Sequence, residues 1–391
     1  MVSSRDRPWS LKHLIDYTNF TKYFGYERQL GKGGDGTVTA YHVRSRPENV
    51  IAVKVPREGS HRAKMSLIQE IRCLQQIGEH DSIAEMLAYC DNFQPVSPAI
   101  FFDVCDLGDM HVYKMKWCDQ QRQKKSKSFR LPEVTILKFL HDMSLALNYL
   151  HNGKGGICYV HNDLKPENVL VVSPPDHKGK GVPTEPIFKL TDFSRSTVYP
   201  TPVNDKPSHW SGTPEYAPLP EERKGVPMPS VDIWSLGASI QSFALNTQPV
   251  QSREEFVRCR KAIGFSYPML NDEHAWGSDM WRDLRLVVYR PLDVTREVLK
   301  ADWDLADCWS HHRPYTIALN NWYAMLFDDN PVARVTSAHL KKYAVPALGK
   351  QILIAKKIAV VESGFERAKL IREQVEVQKV SERALRMQDV D

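Results

Sequence analysis

Ten consecutive residues, His161-Asn162-Asp163-Leu164-Lys165-Pro166-Glu167-Asn168-Val169-Leu170, put a carboxylate, an ammonium and a carboxamide into one short stretch. A second acid returns in Thr191-Asp192-Phe193-Ser194, after a span long enough for a pair of strands. This set suits the movement of a phosphoryl group, a reaction in which positioning and charge stabilisation do most of the work. Asp163 would accept the proton of the attacking hydroxyl, and Lys165 would stabilise charge on the oxygens in flight. Asn168 and Asp192 would each hold a magnesium ion that bridges the phosphates. Such a motif counts only if its surroundings supply the elements that position it.

Those elements are legible upstream. Tyr26 to Leu30, then Gly31-Lys32-Gly33-Gly34-Asp35-Gly36-Thr37-Val38, reads as a strand, a glycine-rich turn and a returning strand. Glycines without Cβ atoms let backbone N–H groups come close to a triphosphate. A dinucleotide-binding turn would open a helix, whereas the β-branched Thr37, Val38 and Thr39 open a strand. Val50-Ile51-Ala52-Val53-Lys54-Val55 is an apolar strand carrying one lysine, which is costly unless its charge is paired. In the segment from Lys64 to Ile77, Leu67, Ile71 and Leu74 form a helical stripe with Glu70 beside it, the expected partner of Lys54. Leu131-Pro132-Glu133 starts a long helix, with Pro132 in its first turn and Val134, Leu137, Leu140, Leu147 and Leu150 as its buried stripe.

In this order the motifs resemble those of eukaryotic-type protein kinases, and Asp163-Leu164-Lys165-Pro166-Glu167-Asn168 is similar to the serine/threonine branch. The resemblance implies an α+β, bilobal fold with a small β-rich lobe (about 23–102), a hinge (about 103–108) and a mainly helical large lobe (about 109–346). It implies ATP and Mg2+ as cofactors and a protein substrate with a Ser or Thr acceptor. Gly31, Lys32, Gly33, Gly34, Asp35 and Gly36 would cover the phosphates, Lys54 paired to Glu70 would hold them, and Val38, Ala52 and Leu170 would enclose the adenine. Backbone groups of Asp103 and Cys105 would bond the adenine edge, with Phe102 guarding the deeper pocket. Asp109 would accept from the ribose or, alternatively, cap the next helix. Trp210 to Glu221 resembles the substrate-docking segment, in which Thr213 would bond Asp163 and Lys165, and Glu221 rather than Glu222 is expected to pair with Arg334. Asp232 would receive backbone N–H groups around His161, and Leu74 and Phe193 would complete an internal column between the lobes.

Two positions depart from the family pattern. Asn162 stands where arginine is usual, so residue 162 has no charge with which to hold a phosphate on the activation segment. That segment still offers Ser194, Ser196, Thr197, Tyr199, Thr201, Ser208 and Ser211 as hydroxyls. Ser194 replaces the usual glycine, which disfavours an inactive flip of the backbone. A scaffold that binds nucleotide without transferring phosphate is the alternative, and it would be favoured by loss of Lys54, Asp163, Asn168 or Asp192. All four are present.

The remaining features bound the reading. Hydrophobic content of 42% and charged content of 25% over 391 residues suit two packed lobes with extensions. No apolar run approaches the roughly 18 residues of a membrane span, and the N-terminus lacks a secretion signal's apolar core, so an intracellular location, cytoplasmic or nuclear, is expected. Seven cysteines without a Cys-x-x-Cys pair indicate neither a disulfide framework nor a zinc site. A net charge of +5 gives little reason to expect nucleic acid. Lys114 to Arg130 is expected to be a basic, solvated loop, and 171–186 a mobile Pro/Gly-rich insertion. Residues 1–22 form an N-terminal extension in which Leu11, Leu14, Ile15 and Thr18 keep helical spacing. Residues 347–391 form a charged helical tail with Ile358, Val361, Phe365, Ala368 and Val375 on one face, which would dock on the body or bind a partner. The tryptophans between 250 and 325 are expected inside an enlarged large lobe.

Overall fold

The computed structural model describes residues 17–126, 128–179, 181–203, 209–303, 305, 312–360, 368–377 and 379–380. Strands β1 (Phe24–Lys32), β2 (Gly36–Val43), β3 (Arg46–Pro56), β4 (Met86–Cys90) and β5 (Ala99–Asp103) form one antiparallel sheet in the order β1-β2-β3-β5-β4. The period of two along β3 decides which residues face the cleft. Ile51 and Val53 enter an outer cluster with Phe24, Val43 and Phe101, while Ala52 enters the main core with Ile100 and Phe102. Lys54, in phase with Ala52, therefore points to the cleft side. The outer cluster is closed by α1 (Tyr17–Tyr23), whose Phe20 stacks on Phe24 with ring centroids 4.7 Å apart. The end of the N-terminal extension thus has a packing role, whereas Leu11, Leu14 and Ile15 lie outside the described residues.

Helix α2 (His61–Ile77) begins at Ser60, whose side chain accepts from the Ala63 N–H, and buries Leu67, Ile71 and Leu74 together with Glu70. Past the hinge, the two-residue strand β6 (Gly108–Asp109) leads into α3 (Met110–Gln123). The expected basic loop is thus mostly helix, seated by the buried Met110, Tyr113 and Trp117. Helix α4 (Glu133–His151) buries Leu137, Leu140, Leu147 and Leu150, with Pro132 at its cap position just ahead of the first turn. It delivers the chain through β7 (Cys158–Val160) to 161–168, which β8 (Val169–Val172) and β9 (Ile187–Leu190) follow as a hairpin beside β6. The end of the insertion between them is hydrogen-bonded to the body. Val182 N–H donates to Gln120 Oε1 (2.7 Å), Tyr113 Oη to the Pro183 carbonyl (2.8 Å) and Thr135 Oγ1 to the Thr184 carbonyl (2.6 Å). These anchors sit in α3 and α4, which a local reading of the Pro/Gly-rich stretch does not see.

Strand β10 (Thr197–Tyr199) pairs antiparallel with β7. After α5 (Pro220–Lys224) comes α6 (Ser230–Leu245), buried at every position from Val231 to Leu245. A helix apolar on all sides belongs at the centre of a core. The large lobe continues with α7 (Arg253–Ala262), α8 (Glu273–Gly277), α9 (Asp279–Arg282), α10 (Arg296–Asp302), α11 (Ile317–Ala324) and α12 (Ser337–His339), of which α11 packs on α6 and α12 on α4. Trp276 and Trp322 are buried there, and Trp309 lies outside the described residues. Helix α13 (Val345–Val360) crosses residue 346 and buries Leu348, Ile352 and Ile354, so the start of the charged tail docks on the body. Residues 368–377 are helical with Val375 exposed, while Val361 and Phe365 lie outside the described residues. No helix among the described residues is long and apolar enough to cross a membrane.

Candidate functional site

Three elements converge on one ammonium. Lys54 Nζ lies 2.7 Å from Glu70 Oε2 on α2 and 3.2 Å from Asp192 Oδ1 after β9. Desolvation of Lys54 works against its charge, but the two carboxylates outweigh it and hold the ammonium well above its ordinary range. One cation cannot serve two anions equally. The Glu70 side chain is 1% exposed and the Asp192 side chain 26%. Burial pushes Glu70 up to about 7 despite the opposing pull of Lys54. Burial pushes Asp192 the same way, yet Lys54 and a hydrogen bond with Ser194 hold it below the usual carboxylate range. The pairing expected between Lys54 and Glu70 is present, and Lys54 and Asp192 share one cleft.

The loop between β7 and β8 is held by its backbone. Buried Asp232, in the first turn of α6, accepts the His161 N–H at 2.7 Å and the Asn162 N–H at 2.9 Å, and its Oδ2 lies 3.0 Å from His151 Nε2. His161 Nε2 meets the Thr191 carbonyl at 3.0 Å, and the His161 ring packs edge-on against Phe193. Phe193 and Leu74 share the main core cluster, as the internal column requires.

On this frame Asp163 is surrounded by donors. Its Oδ1 accepts the Thr213 N–H (2.8 Å) and hydroxyl (2.7 Å), and its Oδ2 accepts Asn168 Nδ2 (3.2 Å) with Lys165 Nζ 3.5 Å away. Lys165 Nζ also donates to Thr213 Oγ1 at 2.7 Å, so Thr213 ties Asp163 to Lys165 as expected. A neighbour the sequence reading missed is Arg195, with Nε 3.7 Å from Asp163 Oδ2. Its only signal in the sequence is a cation directly after the Asp192-Phe193-Ser194 stretch.

The same geometry bears on metal binding. The Asn168 amide nitrogen is occupied by the Asp163 carbonyl (2.8 Å) and carboxylate, which turns its Oδ1 away from them. The Thr191 N–H donates to the Asn168 carbonyl at 3.0 Å, bringing Asp192 next to Asn168. A carboxamide oxygen beside a carboxylate kept ionised is a hard-oxygen donor pair of the kind magnesium takes. The residues present fit the ion.

The pocket residues gather around the hinge. The β1–β2 hairpin closes with Gly33 N–H donating to the Gly36 carbonyl, giving the expected strand-turn-strand with Lys32, Gly34 and Asp35 at its tip. Among the glycines of this turn only Gly36 is sterically required, since a Cβ there would lie 2.2 Å from the Val55 carbonyl oxygen. Gly31, Gly33 and Gly34 face open space. Val38 and Leu170, partly buried, pack in the main core with Ala52 and Phe102. Asp103 ends β5, and the Cys105 carbonyl accepts from the Gly108 N–H at 3.0 Å. Asp109 takes the capping role, accepting the Val112 N–H at 2.8 Å as the first residue before α3.

Asn162 has an unexpected task. At φ 67° it occupies the left-handed region that asparagine tolerates better than most residues. Its Nδ2 donates to the Arg195 carbonyl and Thr197 Oγ1, both at 3.0 Å, pinning the start of the activation segment without charge. Ser194 is not among the positive-φ residues, so the backbone there makes no demand for glycine. Of the activation-segment hydroxyls, Ser208 lies outside the described residues.

One expected pair is corrected. Arg334 meets Glu222, with Nη1–Oε2 at 3.0 Å and Nη2–Oε1 at 2.8 Å, and not Glu221, whose side chain is 83% exposed and paired with Lys224. Pro220 opens α5, and consecutive helical residues point about 100° apart, so the second glutamate turns inward and the first turns to solvent.

Comparison with known proteins gives the geometry its context. A model of the protein kinase domain matches residues 24–289. The chain is 26% identical over 247 residues to a probable L-type lectin-domain containing receptor kinase V.3 of Arabidopsis thaliana, covering 63% of this chain and 33% of that one. It is 25% identical over 213 residues to cyclin-dependent kinase E-1 of the same plant (54% and 41%). Over 154 residues it is 30% identical to the serine/threonine-protein kinase Nek3 of Mus musculus (39% and 25%). The chain thus spans less than half the length of each of these relatives. With a domain match over most of its length and a sheet-based small lobe above a helical large lobe, this chain belongs to the protein kinase family.

Proposed function

We propose that the chain transfers the γ-phosphate of ATP to serine or threonine hydroxyls of proteins. The observation that carries this reading is the convergence of Lys54, Glu70 and Asp192 on one cleft beside a fully braced Asp163. Asp163 takes the acceptor's proton through Oδ2. Thr213 fixes Oδ1 and so sets the direction in which the carboxylate faces. Lys165 lies within reach of both Asp163 and the transferred group, and Lys54 steadies the non-transferred phosphates, its own position set by Glu70. The turn at 31–36 covers the phosphates, and Val38, Ala52 and Leu170 enclose the base. Asn168 and Asp192 would hold magnesium, which neutralises phosphate charge when bound. The docking segment around Gly212-Thr213-Pro214-Glu215-Tyr216 supports a protein acceptor with an aliphatic hydroxyl, in line with the Nek3 relative, a serine/threonine-protein kinase by name.

The test has two stages. Thermal shift with ATP, with and without magnesium, is expected to show metal-dependent stabilisation. Phosphate transfer to a generic basic protein, with Asp163→Asn as control, is expected to show turnover that the substitution removes. Binding without transfer would instead favour a nucleotide-binding scaffold.

A further inference from the structure

A cavity of about 310 Å³ opens beside the candidate base, between the tip of the glycine-rich turn, α2 and the activation segment. Its wall includes Arg62, Arg195, Ser66, Ser194, Ser211 and Asp35. Arg195 joins this cavity to the reaction centre, since its Nε lies 3.7 Å from Asp163 Oδ2 while its Nη1 donates to the Ser211 carbonyl. Ser211 in turn lies two residues before Thr213, which bonds Asp163. A substrate whose hydroxyl sits at Asp163 would therefore bring a side chain one to a few residues away to this cavity.

The charges on the wall select that side chain. Two guanidinium groups face one carboxylate, Asp35, among the described lining residues, although Arg195 also lies against Asp163. Arg62 is exposed on α2 and has no ion pair or hydrogen bond from its side chain among the described residues. The Ser66 and Ser211 hydroxyls add donors, whereas that of Ser194 is engaged by Asp192. Guanidinium forks and hydroxyls together match a carboxylate or a phosphate.

Two acids of the catalytic and docking segments that a basic target could meet already have partners. Glu215 holds Arg282 through both oxygens at 2.7 and 2.9 Å, and Glu167 Oε1 lies 3.0 Å from His111 Nε2. Nor is the cavity needed to seat a phosphate that orders the activation segment, because Asn162 pins that segment by neutral hydrogen bonds. Resting on the phosphotransfer reading above, we propose that the kinase selects protein substrates with an acidic side chain, carboxylate or phosphoserine, close to the acceptor hydroxyl, seated between Arg62 and Arg195.

The experiment is a positional peptide array with phosphatase-treated full-length enzyme. Each position flanking a central serine carries Asp, Glu, phosphoserine, Ala, Lys or Arg. The expected result is a preference of about tenfold or more for an acid over alanine at one near position, the size of a charge-assisted hydrogen bond. Arg62→Glu is expected to erase or invert that ratio, and Arg62→Lys to keep most of it. Phosphoserine outranking Asp and Glu would identify a phosphate as the ligand, and parity among the three a carboxylate, both within the proposal. A flat profile, a basic preference, or an acid preference untouched by Arg62→Glu would overturn it with the phosphotransfer reading intact. Absence of transfer to every peptide and to a generic basic protein would overturn both.

Discussion

Two buried ion pairs, one in the cleft and one in the large lobe, use the same chemistry and come out opposite in character. Arg334 is fully buried, with four of its five N–H donors taken. Glu222 takes two of its hydrogen bonds, the Asp328 and Ser230 carbonyls take others at 2.9 and 2.8 Å, and the guanidinium lies over the Trp234 ring. Charge balances, and burial leaves nothing for a ligand. Lys54 is outnumbered, one ammonium between two carboxylates, so the more exposed Asp192 keeps acceptor capacity that a metal ion would satisfy. A balanced pair ties two segments together, whereas an unbalanced one marks a place built to receive something.

The sharpest way to break the comparison is to remove a charge from each side and watch which quantity falls. In the cleft, Asp163→Asn keeps an oxygen for Thr213 but loses the proton acceptor, so kcat should drop by roughly two to four orders of magnitude. Melting should stay near wild type. Steady-state kinetics beside a melting curve decides it, and a variant that unfolds instead would make Asp163 structural.

In the large lobe the order reverses. Glu222→Gln leaves a buried guanidinium without its counter-charge, which typically costs about 3–5 kcal/mol. Glu221→Gln, on the exposed side of the same turn, should stay within about 0.5 kcal/mol. Denaturant titration of both variants separates them, and equal losses would mean that the two glutamates share Arg334.

That pair also shows what the sequence could not say. Lys54, Glu70, Asp163, Thr213, Asn168, Asp192 and Asp232 were legible because each is a polar residue in a run whose period fixes its direction, or in a motif of fixed spacing. Glu221 and Glu222 are adjacent acids in a short helix, and which one turns inward depends on where Pro220 starts that helix. Arg195 was missed for a related reason, since its contact with Asp163 depends on the path of a segment without repeating pattern. The anchors of 181–185 on α3 and α4 are contacts between distant parts of the chain, and local composition suggested a free loop. The strand carrying Lys54 and the long helices could be read from apolar runs, stripes and caps, whereas the hinge and the two-lobed arrangement came from the resemblance to protein kinases.

A smaller effect is expected at the residue joining the two regions. Asn162→Ala removes two side-chain hydrogen bonds to the activation segment and places alanine at positive φ, for a loss of about 1–3 kcal/mol in the stability of that segment. Hydrogen exchange at 195–199 should speed up. Phosphatase treatment of the wild type should leave activity unchanged. If phosphatase abolished activity while Asn162→Arg changed nothing, the neutral pin would not be what orders the segment.

The last effect is in pH, and it follows from the imbalance around Lys54. Burial raises Glu70 from 4.5 to about 7, so the folded apo protein holds that proton more tightly than the unfolded chain does. The stability this confers is complete below pH 4.5 and is lost as pH climbs through about 7. Over the same span Glu70 acquires the charge that pairs with Lys54, so activity should rise as apo stability declines. Glu70→Gln carries no proton to lose, and its melting temperature should lack this component of the pH dependence. The measurement is the difference in melting temperature between wild type and Glu70→Gln from about pH 5 to pH 8, where the Glu70 component is released. A difference that stays constant across that range would mean that Glu70 is ionised throughout, and the cleft would then carry its full negative charge even at the acid end.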